Sequence, residues 1–272
     1  MTPGPSLSLR TVPPIQGARW MRDGFRLFGK RPLAFSLLLV VFWAAAVVLS
    51  SFLPFGDVLV LVAVPLLGLG FMIASESALN NGPVHPGQFI APLRGDPARR
   101  RSLLILCVAF GACTALVWWI ANVVDGGAFN ELNRLIAKDA PKAQIDAVLQ
   151  SDRFLEGLLL RLLLLVLLSI PFWHAPALIH WGGQGPAQAL FSSTLAMWRN
   201  RMACVVYVLS WFGIMLVFGI VTALAFGMLG MRQMAVLMSV PAGLFFTTVF
   251  YVSLLFSFND SFGGSSVRAQ EP

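Results

Sequence analysis

Between Pro32 and Ser75 the chain carries one charged residue, Asp57, and between Met202 and Phe258 it carries one, Arg232. Runs this long and this poor in charge cannot face water, and a helix needs roughly 20 apolar residues to cross a bilayer. In hydrocarbon every backbone amide must find its partner inside the protein, which leaves helices or a closed barrel. A barrel strand alternates in polarity, and these leucine-rich runs do not. Composition agrees: 57% of the residues are hydrophobic and 11% charged, where a soluble domain carries about a quarter charged residues.

Six spans follow, at 33–53, 58–78, 103–124, 158–181, 202–226 and 234–256. Pro54 and Gly56 supply turn chemistry between the first two, and the stretch from Gly227 to Arg232 does so between the last two. The expected organisation is an all-α, six-span domain over residues 15–260, with a helical outer loop at 125–157. Flexible tails are expected at 1–14 and 261–272.

Lys and Arg counts orient the chain. Thirteen fall on one side: Arg10, Arg19, Arg22, Arg26, Lys30 and Arg31 before the first span, Arg94, Arg99, Arg100 and Arg101 before the third, Arg199 and Arg201 before the fifth, and Arg268 in the tail. Five fall on the other: Arg134, Lys138, Lys142, Arg153 and Arg232. Both termini are therefore expected in the cytoplasm. About thirty residues precede the first apolar run, which does not fit a cleaved signal peptide. The net charge of +7 reads as membrane topology rather than nucleic-acid binding, because the basic residues border spans.

The basic segments also repeat. Setting Arg31, Arg101 and Arg201 in register aligns three units, each a lead-in segment, a span, an outer turn and a return span. Prolines follow the same parity: the return spans hold Pro65, Pro171 with Pro176, and Pro241, and the other spans hold none. Two spans per unit keep all units pointing the same way, so the pseudo-symmetry axis should run along the membrane normal.

The first lead-in segment is the clearest amphipathic helix. At about 100° per residue, Arg19, Arg22, Arg26 and Lys30 share one sector, opposite Met21, Phe25 and Phe28 and flanked by Trp20, Gly24 and Leu27. Such a helix is expected to lie flat at the headgroups, where anionic lipid attracts each Lys or Arg by about 1 kcal/mol. Arg31, Arg99, Arg100, Arg101, Arg199 and Arg201 extend the candidate headgroup contact. The segment 185–201 repeats the pattern more weakly. In the outer loop, Phe129, Leu132, Leu135 and Ile136, then Ile145, Val148, Leu149 and Phe154, fall at helical spacing and predict two short helices.

Four polar residues are candidates for a cavity: Glu76, Arg161, His174 and His180. The two histidines are six apart and do not share a helix face, and neither Asp nor Glu stands near them, so a metal site is not expected. Pro171 and Pro176 should instead bend or break the fourth span, with Ser169 able to satisfy freed carbonyls. Arg161 sits one turn inside that span and is expected to snorkel outward toward Glu156. Glu76 can pair with nearby arginines or line a mouth with Ser75, Ser77 and Asn80. Cys107, Cys113 and Cys204 fall inside spans without a CxxC and read as small apolar fillers. No GxSxG, HExxH or P-loop stands in the chain; an enzyme is not expected, and no cofactor is.

Trp173, then Ala175-Pro176-Ala177, then Gly185-Pro186 with Ala189-Leu190, Ser192 and Asn200, resemble an uncharacterised family of proteobacterial six-span integral membrane proteins. Trp20, Gly24, Phe28 and Pro32 are similar to that family's opening. More distantly the layout resembles the membrane domain of some glycerophosphodiester phosphodiesterases. The resemblance covers 15–260 outside the outer loop and implies architecture and inner-membrane location, with no activity or site residue. The functional expectation is a non-enzymatic scaffold or accessory protein that engages anionic lipid or a protein partner. The alternative is a small-solute transporter, which calls for a mid-membrane cavity walled by the proline-bearing spans and touching Arg161, His174 or Glu76.

Overall fold

The structure, a computed structural model, describes residues 7–263; Arg268 and the rest of the expected C-terminal tail beyond Gly263 lie outside them, as do residues 1–6. Among the described residues every regular element is a helix. Six are long and apolar enough to cross a bilayer: α2 (Pro32–Phe52), α3 (Gly56–Leu79), α5 (Pro97–Val124), α8 (Asp152–Phe172) continued by α9 (Ala175–His180), α11 (Arg201–Met228) and α12 (Arg232–Phe262). Shorter helices precede α2, α5 and α11: α1 (Gln16–Lys30), a 3-10 turn with α4 (Ala91–Arg94), and α10 (Pro186–Arg199). The 125–157 loop forms α6 (Ala128–Ala137) and α7 (Lys142–Leu149), the two short helices expected from its spacing, except that Phe154 falls in α8, beyond the Ser151 cap. The chain is an all-α polytopic membrane protein.

Local chemistry sets the boundaries. Pro32, Pro97 and Pro186 open α2, α5 and α10, where a missing amide hydrogen costs nothing. Asp96 caps α5 by accepting from the Ala98 amide, and Ser151 caps α8 by accepting from Phe154. Because spans alternate in direction, all lead-in segments gather at one end, the basic end; the α2–α3 turn, α6, α7 and the α11–α12 turn form the far end.

The packing follows the three-unit pattern and closes it into a ring. Each lead-in segment packs on the return span of the unit before it: the turn at Pro86–Phe89 on α3, α10 on α8 and α9, and α1 on α12. The three return spans surround the molecular axis, where Pro65 of α3, Pro176 of α9 and Tyr251 of α12 line a cavity of about 210 Å³. Buried side chains concentrate toward the basic end, in Trp20, Phe35, Phe71, Tyr207 and Val249 and in Leu103, Leu178 and Phe258. Large apolar side chains on α2, α5, α8 and α11 stay exposed, as lipid-solvated helices require.

Two boundaries differ from expectation. Residues 10–12, expected in a flexible tail, are pinned to the bundle: the Arg10 amide donates to the Ser261 carbonyl at 2.8 Å, and the buried Asn200 side chain accepts from the Val12 amide and donates to the Arg10 carbonyl, both at 3.0 Å. Helix α12 also runs past residue 260, burying Ser261 and Phe262. Asn200 can hold the segment because one amide side chain offers a donor and an acceptor to a passing strand.

Candidate functional site

Helix α1 takes up its apolar face inside the protein. It lies along the start of α11 and the end of α12, with Trp20 edge-on to Tyr207 at 5.9 Å, Phe25 stacked on Trp211 at 5.7 Å and Phe28 edge-on to Phe245 at 5.3 Å. The Trp20 indole and the Gln16 amide both donate to Asp260, at 2.8 and 2.6 Å. Gly17 and Gly24 make the contact close: a Cβ at Gly24 would stand 2.6 Å from the Cβ of Ser253, and one at Gly17 would overlap the Ala203 carbonyl. The expectation of a helix lying apolar side down at the headgroups is corrected by this packing. An apolar face fills whichever surface excludes water best, and here that surface is α11 and α12.

What α1 leaves outward is its basic sector. Arg19, Arg22, Arg26 and Lys30 are exposed; Arg22 and Arg26 flank Asp23 at 3.0 and 3.7 Å, and Arg19 donates to Gln16 at 3.2 Å. Arg100 and Arg101 are exposed in the first turn of α5. Other basic residues staple loops: Arg31 donates to the carbonyls of Gly82 and Asn81, Arg99 to that of His180 at 2.9 Å, and Arg199 to the Thr11 hydroxyl at 2.7 Å. Arg201, the first residue of α11, is exposed with its guanidinium 5.6 Å from the centre of the Trp198 ring.

The four cavity candidates do not converge. Arg161 is at the far end and does not snorkel toward Glu156; it is buried against Asp125 at 2.7 Å, both side chains under 5% exposed. It also donates to Asn122 at 2.6 Å and sits over Phe129 and Trp118, 4.4 and 5.4 Å from the ring centres. Asp125 ends α5, and its carboxylate accepts from the Gly127 and Phe129 amides that begin α6. The correction has an electrostatic cause: a carboxylate already held by backbone donors gives the guanidinium a nearer partner than the exposed Glu156. Sequence reading missed Asp125 because it lies at a span edge, 36 positions from its partner.

His174 and His180 are separated by the expected break, which falls at Trp173 and His174 between α8 and α9. In an unbroken helix the His174 amide would reach the Ile170 carbonyl. Instead the buried Ser193 hydroxyl of α10 accepts from His174 at 3.0 Å and donates to Ile170 at 3.1 Å, so the hydroxyl replaces the missing rung. Ser169 caps a different carbonyl, that of Val166, at 2.7 Å. The His174 ring is buried, with Nε2 3.2 Å from the Ser257 hydroxyl. His180 is half-buried against Trp181, and Glu76 is half-buried near the basic end of α3.

Two spaces matter. The axial cavity is walled by the proline-bearing return spans and touches none of Arg161, His174, His180 or Glu76; Ser169 and Tyr251 are among its few polar side chains. A larger cleft of about 530 Å³ opens between α8 and α11, with α10 across one end and His174, Tyr207 and Ser257 in its inner wall. No protein-family model and no solved structure matches the chain. A curated protein of Burkholderia thailandensis, described as a probable inner membrane protein, is 30% identical over 257 residues, covering 94% of this chain and 92% of the relative. At that identity and coverage the chain belongs to the same family of inner membrane proteins, and its six long apolar helices make it multi-pass.

Proposed function

We propose that the protein is a non-enzymatic accessory protein of the inner membrane, its basic end turned to the cytoplasm and engaging anionic phospholipid headgroups. One observation carries this reading. The exposed cations Arg19, Arg22, Arg26 and Lys30 sit on a helix whose opposite face is locked into the bundle. They are therefore presented at fixed positions, without the ordering cost of a helix that folds on the lipid. At about 1 kcal/mol for each cation near an anionic surface, and with Asp23 offsetting one of the four, the sector supplies a preference for acidic lipid. Native mass spectrometry of the full chain, given an equimolar mixture of phosphatidylglycerol and phosphatidylcholine, is expected to show more bound phosphatidylglycerol. Replacing the four residues together by Gln should abolish most of that excess. Equal uptake of the two lipids by the unaltered protein overturns the reading.

Small-solute transport is the second reading, favoured by the axial cavity among the three proline-bearing return spans. With its three cysteines replaced by Ala, the chain can carry Gly68→Cys as a reporter of that cavity and Arg100→Cys as a reporter of orientation. Labelling of position 68 by a membrane-impermeant thiol reagent supports transport, and failure to label from either side removes it. The cytoplasmic assignment requires position 100 to react only from the inner side.

A further inference from the structure

We propose that the cleft between α8 and α11 is a lateral site for one anionic phospholipid, with an acyl chain between the two helices and the phosphate on Arg201. The inference rests on the headgroup reading and narrows it to one built place. The three-unit ring supplies the first argument. At two of its three joints a span packs against the return span before it, α5 on α3 and α2 on α12, but α11 stands off from α8. The cleft of about 530 Å³ is the contact missing from that third joint.

The occupant follows from what the walls offer. Val166 and Ile170 of α8 face Val205, Val208 and Leu209 of α11 across the gap. The hydroxyls on its surface and His174 Nε2 are directed to protein partners: Ser169 to the Val166 carbonyl at 2.7 Å, Thr194 to that of Leu190 at 2.8 Å, Tyr207 to Ser253 at 2.5 Å, and His174 Nε2 to Ser257 at 3.2 Å. Water gains little there, and a gap that opens sideways between lipid-solvated helices fills with hydrocarbon. Along α11 the lining runs from Arg201 to Leu209, about 12 Å at 1.5 Å per residue. A bilayer core is roughly 30 Å thick, so a lining of that length runs most of the depth of one leaflet, the reach of a single acyl chain.

Charge fixes which lipid. Arg201 stands at the basic end of the cleft, exposed and braced over Trp198, and among the described residues no carboxylate forms an ion pair with it. A planar guanidinium at headgroup level takes a phosphodiester through two parallel hydrogen bonds. Hydrocarbon walls with one unpaired guanidinium at the rim match an amphiphile with an anionic head.

The test is retention of lipid by the full-length protein in detergent, read by native mass spectrometry. The unaltered chain should keep one phosphatidylglycerol per chain, in preference to phosphatidylcholine. Val208→Trp, which fills the cleft from an exposed position of α11, should release it. Arg201→Gln should weaken it about tenfold or more, the loss of a charge-assisted contact, and erase the preference of that one tightly held lipid while leaving the excess that the α1 cations supply. Glycerol phosphate alone should not compete; if it does, the site is a phosphate site and the acyl-chain assignment fails. Retention unchanged in Val208→Trp overturns the cleft assignment while leaving the wider headgroup preference standing. A dimer of the unaltered chain that Val208→Trp dissociates also overturns it, by showing that a second copy covers the groove.

Discussion

Asp125 and Arg161 show how much one residue's setting decides in a membrane protein. An arginine near a span end can reach headgroup water by its stem, and on that basis truncating its surroundings should matter little. Buried at 2.7 Å from Asp125, it is instead half of an ion pair, and removing the acid leaves an uncompensated cation, a loss of about 3–5 kcal/mol. Asp125→Ala is accordingly expected to lower the thermal midpoint in detergent by roughly 10 °C. The double variant Asp125→Ala with Arg161→Met should recover most of that loss, since no buried charge remains. A single-variant shift within a degree or two would mean that Arg161 reaches water after all. Ser193 makes a similar point without charge: its hydroxyl completes the ladder that the proline-rich stretch interrupts, joining α10 to the break.

Among the elements, α1 departs furthest from a free amphipathic helix. Its sequence pattern is the one expected of a peripheral lipid-binding helix, and its basic sector does stay outward. Its apolar side, however, is fitted to α11 and α12 through Gly17 and Gly24. Gly24→Val should lift the helix, because the added atoms meet the Ser253 Cβ and the α12 backbone, an overpacking cost of about 1–3 kcal/mol. Limited trypsin digestion is the readout: cleavage after Arg22 or Arg26 should accelerate in this variant. Gly29→Ala, with open space around the new Cβ, is the control and should leave cleavage unchanged. Equal protection of Gly24→Val would show that α1 is held by something other than this contact.

For the whole molecule, the ring of three units accounts for two features at once. Side chains of all three return spans, Pro65 and Pro176 among them, line the small axial cavity together with Phe110 of α5. The lead-in segments reach back to the preceding unit, so the first, α1, closes the ring on the last return span, α12. That closure explains why the N-terminal stretch at 10–12 is held by Asn200 and Ser261, residues of the last unit. The imperfect joint between α8 and α11 is then a property of the assembly and belongs to no single helix.

Much of this was legible in the residues alone. Hydrocarbon forces the backbone into helices, so uncharged run lengths located all six spans, proline parity and basic lead-ins exposed the repeating unit, and the pair of prolines at 171 and 176 located the break in the fourth span. Those signals are local or periodic, and a period survives in sequence. Which partner answered Arg161, which surface received the α1 face, what replaced the hydrogen bond at His174 and where the ring failed to close were decided by tertiary packing. Each of these depends on groups 19 to more than 200 positions apart, and nothing in the spacing of a chain tells a side chain which of several chemically equivalent partners will be nearest once the helices are assembled.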